Sequence, residues 1–175
     1  MLQEDIEKLG RYEFRPAINN TEDFEIYLKI KSDSEAIKYS GFKEAPDRAK
    51  FLLYYSKLLL NKNQHLLFLM DKVNDNKVCA TFHYQDIDNN TVEGLGYNVF
   101  PEYRGRGLGW VMMEKVNMFC RALGYKYRLS KVAETNVASI KNLEKSGAKF
   151  TGKIEYRELL ALNRVEKYLI YIKEL

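Results

Sequence analysis

The stretch Arg104-Gly105-Arg106-Gly107-Leu108-Gly109-Trp110 sets three glycines at alternate positions beside two arginines. Glycine lets a backbone turn tightly and approach a ligand with no side chain intervening, and guanidinium groups match phosphate oxygens. Directly downstream, Leu108, Met112, Val116, Phe119 and Leu123 recur at spacings of three and four, which predicts an amphipathic helix closed by Gly124. A helix N-terminus carries unpaired amides and the positive end of the helix dipole, so glycines that open a helix can cradle a pyrophosphate. Val92 to Phe100 reads as the strand ahead of them. The unit is therefore strand, glycine-rich turn, helix.

Two nucleotide-binding motifs share that outline, and neither fits. A P-loop needs Lys and then Ser or Thr after its last glycine, where this chain has Trp110 and Val111. A dinucleotide fingerprint needs wider glycine spacing and an acid about twenty residues on, where Lys126-Tyr127-Arg128 is basic. Other catalytic classes find little support. The two histidines, His65 and His83, form no ligand-spaced cluster, so neither a metal site nor a Ser-His-Asp nucleophile is indicated.

The elements that position the loop can be read in order. Tyr12 to Ile18 alternates as a strand weakened by Pro16, which suits an edge or an end. Asn20 to Asp23 starts a helix whose apolar side is Phe24, Tyr27, Leu28 and Ile30, and a short helix or turn and a loop follow from Ser32 to Glu44. A second clear helix is expected from Pro46 to about Asn61. Leu66 to Met70 is apolar throughout, as in a central strand, and Val78 to Tyr84 and Thr91 to Phe100 complete an antiparallel meander. After the loop helix come a strand, Tyr127 to Ala133, parallel to its predecessor if the helix is a crossover, then a helix from Val137 to Ser146. Two strands, Phe150 to Leu159 and Lys167 to Lys173, form a terminal hairpin around Asn163. The expected fold class is mixed α/β.

At 175 residues, 46% of them apolar, the chain is read as one domain, 1–175, with a single core. Its net charge of +4 is modest, but Arg104 to Lys131 holds seven basic residues against the single acid Glu114. No nucleic-acid-binding motif accompanies that run, so a phosphorylated cofactor suits it better than nucleic acid. Cys79 and Cys120 lie in apolar patterns and read as buried thiols of a reducing compartment. No apolar leader and no membrane-length run is visible, and the expected location is cytoplasmic, with no membrane partner.

The loop resembles the pyrophosphate loop of the GCN5-related N-acetyltransferases (GNAT), whose pattern is Arg or Gln, two residues, Gly, one residue, Gly or Ala; Arg104 to Gly109 matches every fixed position. Gly96-Tyr97-Asn98-Val99-Phe100-Pro101-Glu102 is similar to the family's fourth strand and its exit, and Asn136-Val137-Ala138-Ser139 with Glu144-Lys145-Ser146-Gly147 to its second signature. The likeness covers roughly residues 91–150 and is nearest to the branch that includes ribosomal-protein N-terminal acetyltransferases and several small-molecule acetyltransferases. It implies a GNAT-like acyl-CoA N-acyltransferase fold, with a central mixed, mostly antiparallel sheet of about seven strands flanked by helices. The implied reaction is acetyl transfer from acetyl-CoA, by direct attack, to a primary amine on a small molecule or a peptide N-terminus.

Residue by residue, the resemblance gives Val99 and Phe100 backbone bonds to the pantetheine, which lies where the fourth strand bulges and splays from the fifth. Arg104, Gly105, Arg106, Gly107, Leu108, Gly109 and Trp110 would hold the pyrophosphate, Asn136 and Ser139 border the pantetheine, and Asn142 or Lys145 reach the nucleotide end. Asn136 can equally cap its helix, and Lys145 can be a solvated face. Many relatives carry a Tyr that protonates the departing sulfur just before Glu-Lys, and here that residue is Leu143. Ser139, a bound water or simple thiolate release takes its place, and Glu93 is the first candidate base, with His83 second. A non-catalytic acyl-CoA-binding module of the same fold is the alternative. The family's N-terminal helical region borders the acceptor, which places Phe42, Tyr54 and Tyr55 near substrate or in the core. Acids at Asp33 to Glu35 and Glu44 to Asp47 would attract a cationic amine, and an exposed terminal hairpin can pair two copies into a homodimer.

Overall fold

The computed structural model describes residues 3–175. Seven strands form one sheet in the order β1-β2-β3-β4-β5-β7-β6. They are β1 (Tyr12–Pro16), β2 (Gln64–Asp71), β3 (Lys77–Asp86), β4 (Thr91–Val99), β5 (Tyr127–Ala133), β6 (Lys149–Leu159) and β7 (Arg164–Glu174). Every neighbouring pair is antiparallel except β4 and β5, which are parallel. The mostly antiparallel seven-stranded sheet expected from the resemblance is what the chain forms. Pro16 ends β1 at the sheet edge, where its missing N–H disturbs no ladder.

Among the described residues six α-helices flank the sheet: α1 (Gln3–Gly10), α2 (Thr21–Lys31), α3 (Ser34–Lys38), α4 (Arg48–Leu60), α5 (Leu108–Ala122) and α6 (Val137–Lys145). The side chain of Asn20 caps α2 by accepting from the Asp23 amide at 2.7 Å, and Asp23 in turn pairs with Arg15 of β1 at 2.6 Å. Phe24 and Tyr27 of α2 pack on Phe51 and Tyr55 of α4, with ring centroids 5.4 to 6.3 Å apart. Tyr55 is thus a core residue. Leu66, Leu67, Phe68 and Leu69 of β2 are buried on both faces, as a fully covered central strand requires.

Three details differ from expectation. α1 is an additional helix: eight residues with only Ile6 and Leu9 as its spaced apolar pair are too few for a periodic signal. α4 begins at Arg48, capped by the Asp47 side chain, so Pro46 lies outside it. β7 begins at Arg164, three residues before the expected Lys167, because Asn163 adopts a left-handed conformation (φ 48°) that turns the chain immediately. Cys79 and Cys120 are buried and free. Among the described residues no helix is long and apolar enough to cross a membrane.

Candidate active site

β4 and β5 pair only over Thr91 to Gly94 and Tyr127 to Ser130. Past that point β4 stays with β3 as far as Val99, while β5 runs on with β7 to Ala133. On β3, His83 faces Gly96 and the next residue, Tyr84, faces Gly94, so Leu95 is an extra residue in β4. A bulge of this kind bends its strand, and the two parallel strands part here. Residues 95–99 are therefore left with no strand on their β5 side. A cavity of about 960 Å³ passes through the opening, from the glycine loop on one face to α2 and α3 on the other.

The glycine loop closes one end of that cavity. Gly105 and Gly107 have φ of +72° and +74°, a left-handed conformation that side chains resist. Gly107 is the N-cap of α5 and has no side chain to bond the first-turn amides of Leu108, Gly109 and Trp110. A Cβ at Gly109 would lie 2.3 Å from Asn142 Nδ2, so glycine is what lets α6 close on the start of α5. A Cβ at Gly107 would lie 2.9 Å from Lys8 Nζ, which places an ammonium from α1 directly over the loop. Arg106 is exposed beside it. Arg104 instead turns away from the loop: its Nε donates to the Val99 carbonyl at 3.0 Å and its terminal nitrogen bonds Asp33, the N-cap of α3. Lys145 stacks 4.8 Å from the Trp110 ring centroid.

α6 forms the wall opposite. Asn136 caps it by accepting from the Ser139 amide at 3.2 Å. Tyr97 of β4 reaches across the opening, its hydroxyl 2.9 Å from Ser139 Oγ and accepting from Asn142 Nδ2 at 3.2 Å. Leu143 is buried behind this cluster. Beneath it Arg128 is 1% exposed, bonded through Nε to Asn117 (3.1 Å) and through Nη1 to Ser130 (2.6 Å), while Nη2 has no partner. Burial lowers its pKa to about 10.

On the other face, His83 Nε2 is buried without a partner at the edge of the cavity. Burial first, then the nearby Lys31 and His65, lower its pKa to about 4, so the imidazole is neutral at pH 7 and its Nε2 lone pair is free. Glu93 is differently placed. Its carboxylate pairs with Lys131 at 2.8 Å and accepts from Gln85 at 2.7 Å, and it does not line the cavity. The Phe100 amide is likewise engaged, donating to the Cys79 carbonyl at 3.0 Å. Three of the four acids read as bait for a cationic amine are also occupied: Asp33 by Arg104, Glu35 by Lys38 at 3.3 Å, and Asp47 as a helix cap.

The family model described as the acetyltransferase (GNAT) family matches residues 26–148. The chain belongs to that family. Solved structures agree in fold. The spermidine N-acetyltransferase from Vibrio cholerae in complex with CoA and spermine is 12% identical, with a TM-score of 0.80, covering 94% of this chain and 96% of the other. A GNAT superfamily phosphinothricin acetyltransferase from Sinorhizobium meliloti in complex with acetyl-CoA is 18% identical, with a TM-score of 0.72 and coverage of 94% and 89%. A GNAT-family acetyltransferase from Bacillus anthracis is 16% identical, with a TM-score of 0.74 and coverage of 94% and 95%. No curated protein sequence matches significantly.

In this acetyltransferase the three loop glycines, Asn136, Ser139 and Asn142 line one cavity end, Arg106 is exposed on the loop, and two further residues join them that were not among the expected site residues. Lys8 lies about a hundred positions from the loop in sequence, so no local pattern announces it. Tyr97 sits inside the recognised run, but its direction depends on the bulge, which reverses the alternation of faces along β4. Within the basic run from Arg104 to Lys131, Arg104 and Lys131 are paired and Arg128 is buried.

Proposed function

We propose that the chain transfers the acetyl group of acetyl-CoA to the amine of a small molecule. The observation that carries this reading is the parting of β4 and β5 beside a glycine-opened helix, which supplies a free strand edge and a phosphate cradle at one cavity. The cradle fits a pyrophosphate: it has two left-handed glycines, uncapped amides and the Lys8 ammonium over it, with Arg106 exposed between the glycines. Acetyl-CoA, when bound, supplies the activated acyl group. Residues 95–99 would take the pantetheine along the unpaired edge of β4, bordered by Asn136, Ser139 and Asn142. Arg104 fastens the loop to α3 through Asp33 and to β4 through the Val99 carbonyl, which commits two of its three nitrogens.

His83 is our preferred base over Glu93. Its free Nε2 faces the cavity and is unprotonated, whereas Glu93 is held by a lysine and a glutamine. The Tyr97 hydroxyl, oriented by Ser139, holds a proton for the leaving sulfur and takes the part that Leu143 cannot. The named neighbours favour a small amine over the protein N-termini of the ribosomal branch. A single domain carries both halves of the site, its two free thiols suit the cytoplasm, and the exposed β6 edge would serve for pairing with a second copy. A multiple-turnover assay of thiol release over a panel of small amines tests the reading. Amine-dependent turnover is expected, and acetyl-CoA binding with no turnover on any amine would support the non-catalytic module instead.

A further inference from the structure

Lys31 ends α2 and points into the acceptor half of the cavity. Its Nζ donates to Asn98 Oδ1 at 2.8 Å and lies 5.6 Å from the centroid of the Tyr27 ring. Neither partner carries a negative charge. The other cations on this side are matched: Lys131 lies 2.8 Å from Glu93 and 3.3 Å from Glu155, and Arg157 also pairs with Glu155. Of the acids lining the cavity, Glu35 belongs to Lys38, and Glu158 is exposed on β6, three strands from β4. One neutral hydrogen bond and one ring contact offset only part of the cost of removing an ammonium from water. That deficit shows as a pKa lowered by burial to about 8.

Asn98 and Gly96 share a face of β4, about 7 Å apart along the strand. His83 sits opposite Gly96, so the proposed base and Lys31 flank one short stretch of cavity. A molecule with its amine at His83 and an anionic group a few bonds away would reach both. A polyamine would instead bring a second cation against Lys31.

Building on the acetyl-transfer reading, we propose that Lys31 receives a carboxylate of the acceptor, which makes the substrate an amino acid or a close analogue. The carboxylate supplies the missing counter-charge, and Asn98 holds the ammonium in place until it arrives. A peptide N-terminus or a simple amine lacks that group.

The test measures kcat/KM at saturating acetyl-CoA for the twenty L-amino acids and phosphinothricin, each against its carboxamide, and for spermidine. Calorimetry of the same compounds on the CoA-loaded protein runs in parallel. We expect at least one amino acid to be used about tenfold or more better than its carboxamide, the scale of one charge-assisted hydrogen bond. Lys31→Gln should bring that ratio to about one while leaving acetyl-CoA affinity unchanged, and Lys31→Arg should preserve it. Preference for spermidine, a ratio unmoved by Lys31→Gln, or no binding or acetylation of any amino acid by protein that binds acetyl-CoA would each overturn the proposal. Failure to bind acetyl-CoA would overturn the reading beneath it, and the control titration sees that separately.

Discussion

The two ends of the cavity are built by different means. The loop end is made of backbone: glycines with positive φ, amides at a helix start, and a strand edge freed by one extra residue. The end proposed for the acceptor is made of side chains, Lys31 from α2, His83 from β3 and Asn98 from β4, which meet only when three elements pack. Backbone recognition needs a short contiguous sequence and tolerates divergence elsewhere. Recognition by side chains is distributed, and so it can change from one family member to the next while the fold stays put.

If that contrast is right, substitutions at the two ends should separate binding of the donor from chemistry on the acceptor. The largest effect on turnover is expected at Tyr97. Tyr97→Phe removes the hydroxyl next to Ser139 while keeping the ring, and should lower kcat by about tenfold or more with little change in KM for acetyl-CoA. An unchanged kcat would leave proton delivery to Ser139 or water.

Lys8→Ala comes next. Losing one ammonium over the loop should raise the KM for acetyl-CoA by up to about tenfold, leave kcat intact, and weaken the salt dependence of binding. A change in kcat alone would place Lys8 outside the phosphate cradle.

The smallest effect concerns stability and pH. His83 has a folded pKa near 4 against an ordinary value of 6.5, so between those values the unfolded chain binds the extra proton. Stability should fall as pH drops from about 6.5 towards 4. Burial sets that direction, and the neighbouring Lys31 and His65 add to it. In urea titrations at pH 7 and 4.5, His83→Gln should lose part of the difference that the natural chain shows, about 2 kcal/mol. An identical slope in both would mean that His83 takes up its proton freely in the folded state.

How far the sequence could be read follows the same division. The Arg-Gly alternation and the Asn-x-x-Ser signature mark the donor end because contiguous residues build it. The seven strands were legible because alternation and turn residues are local signals. The resemblance implied a bulge in the fourth strand but not that Leu95 is the extra residue, and so the direction of Tyr97 was hidden. Glu93 looked suited to be a base by position alone, but its side chain is committed to Lys131 across to β5, a contact set by pairing register rather than by any motif. Lys31 was invisible as a site residue, since a lysine closing a helix ordinarily serves the helix dipole.

The central claim is that the glycine-opened start of α5 holds the pyrophosphate of acetyl-CoA. Calorimetric titration of the natural chain and of Gly107→Glu tests it most directly. The substitution strains a left-handed position, displaces Lys8 and sets a carboxylate in the cradle. The account predicts saturable one-to-one binding to the natural chain and a loss of about a hundredfold or more in a folded variant. A folded natural chain that binds no acetyl-CoA, or a folded variant that binds it equally well, would contradict the claim.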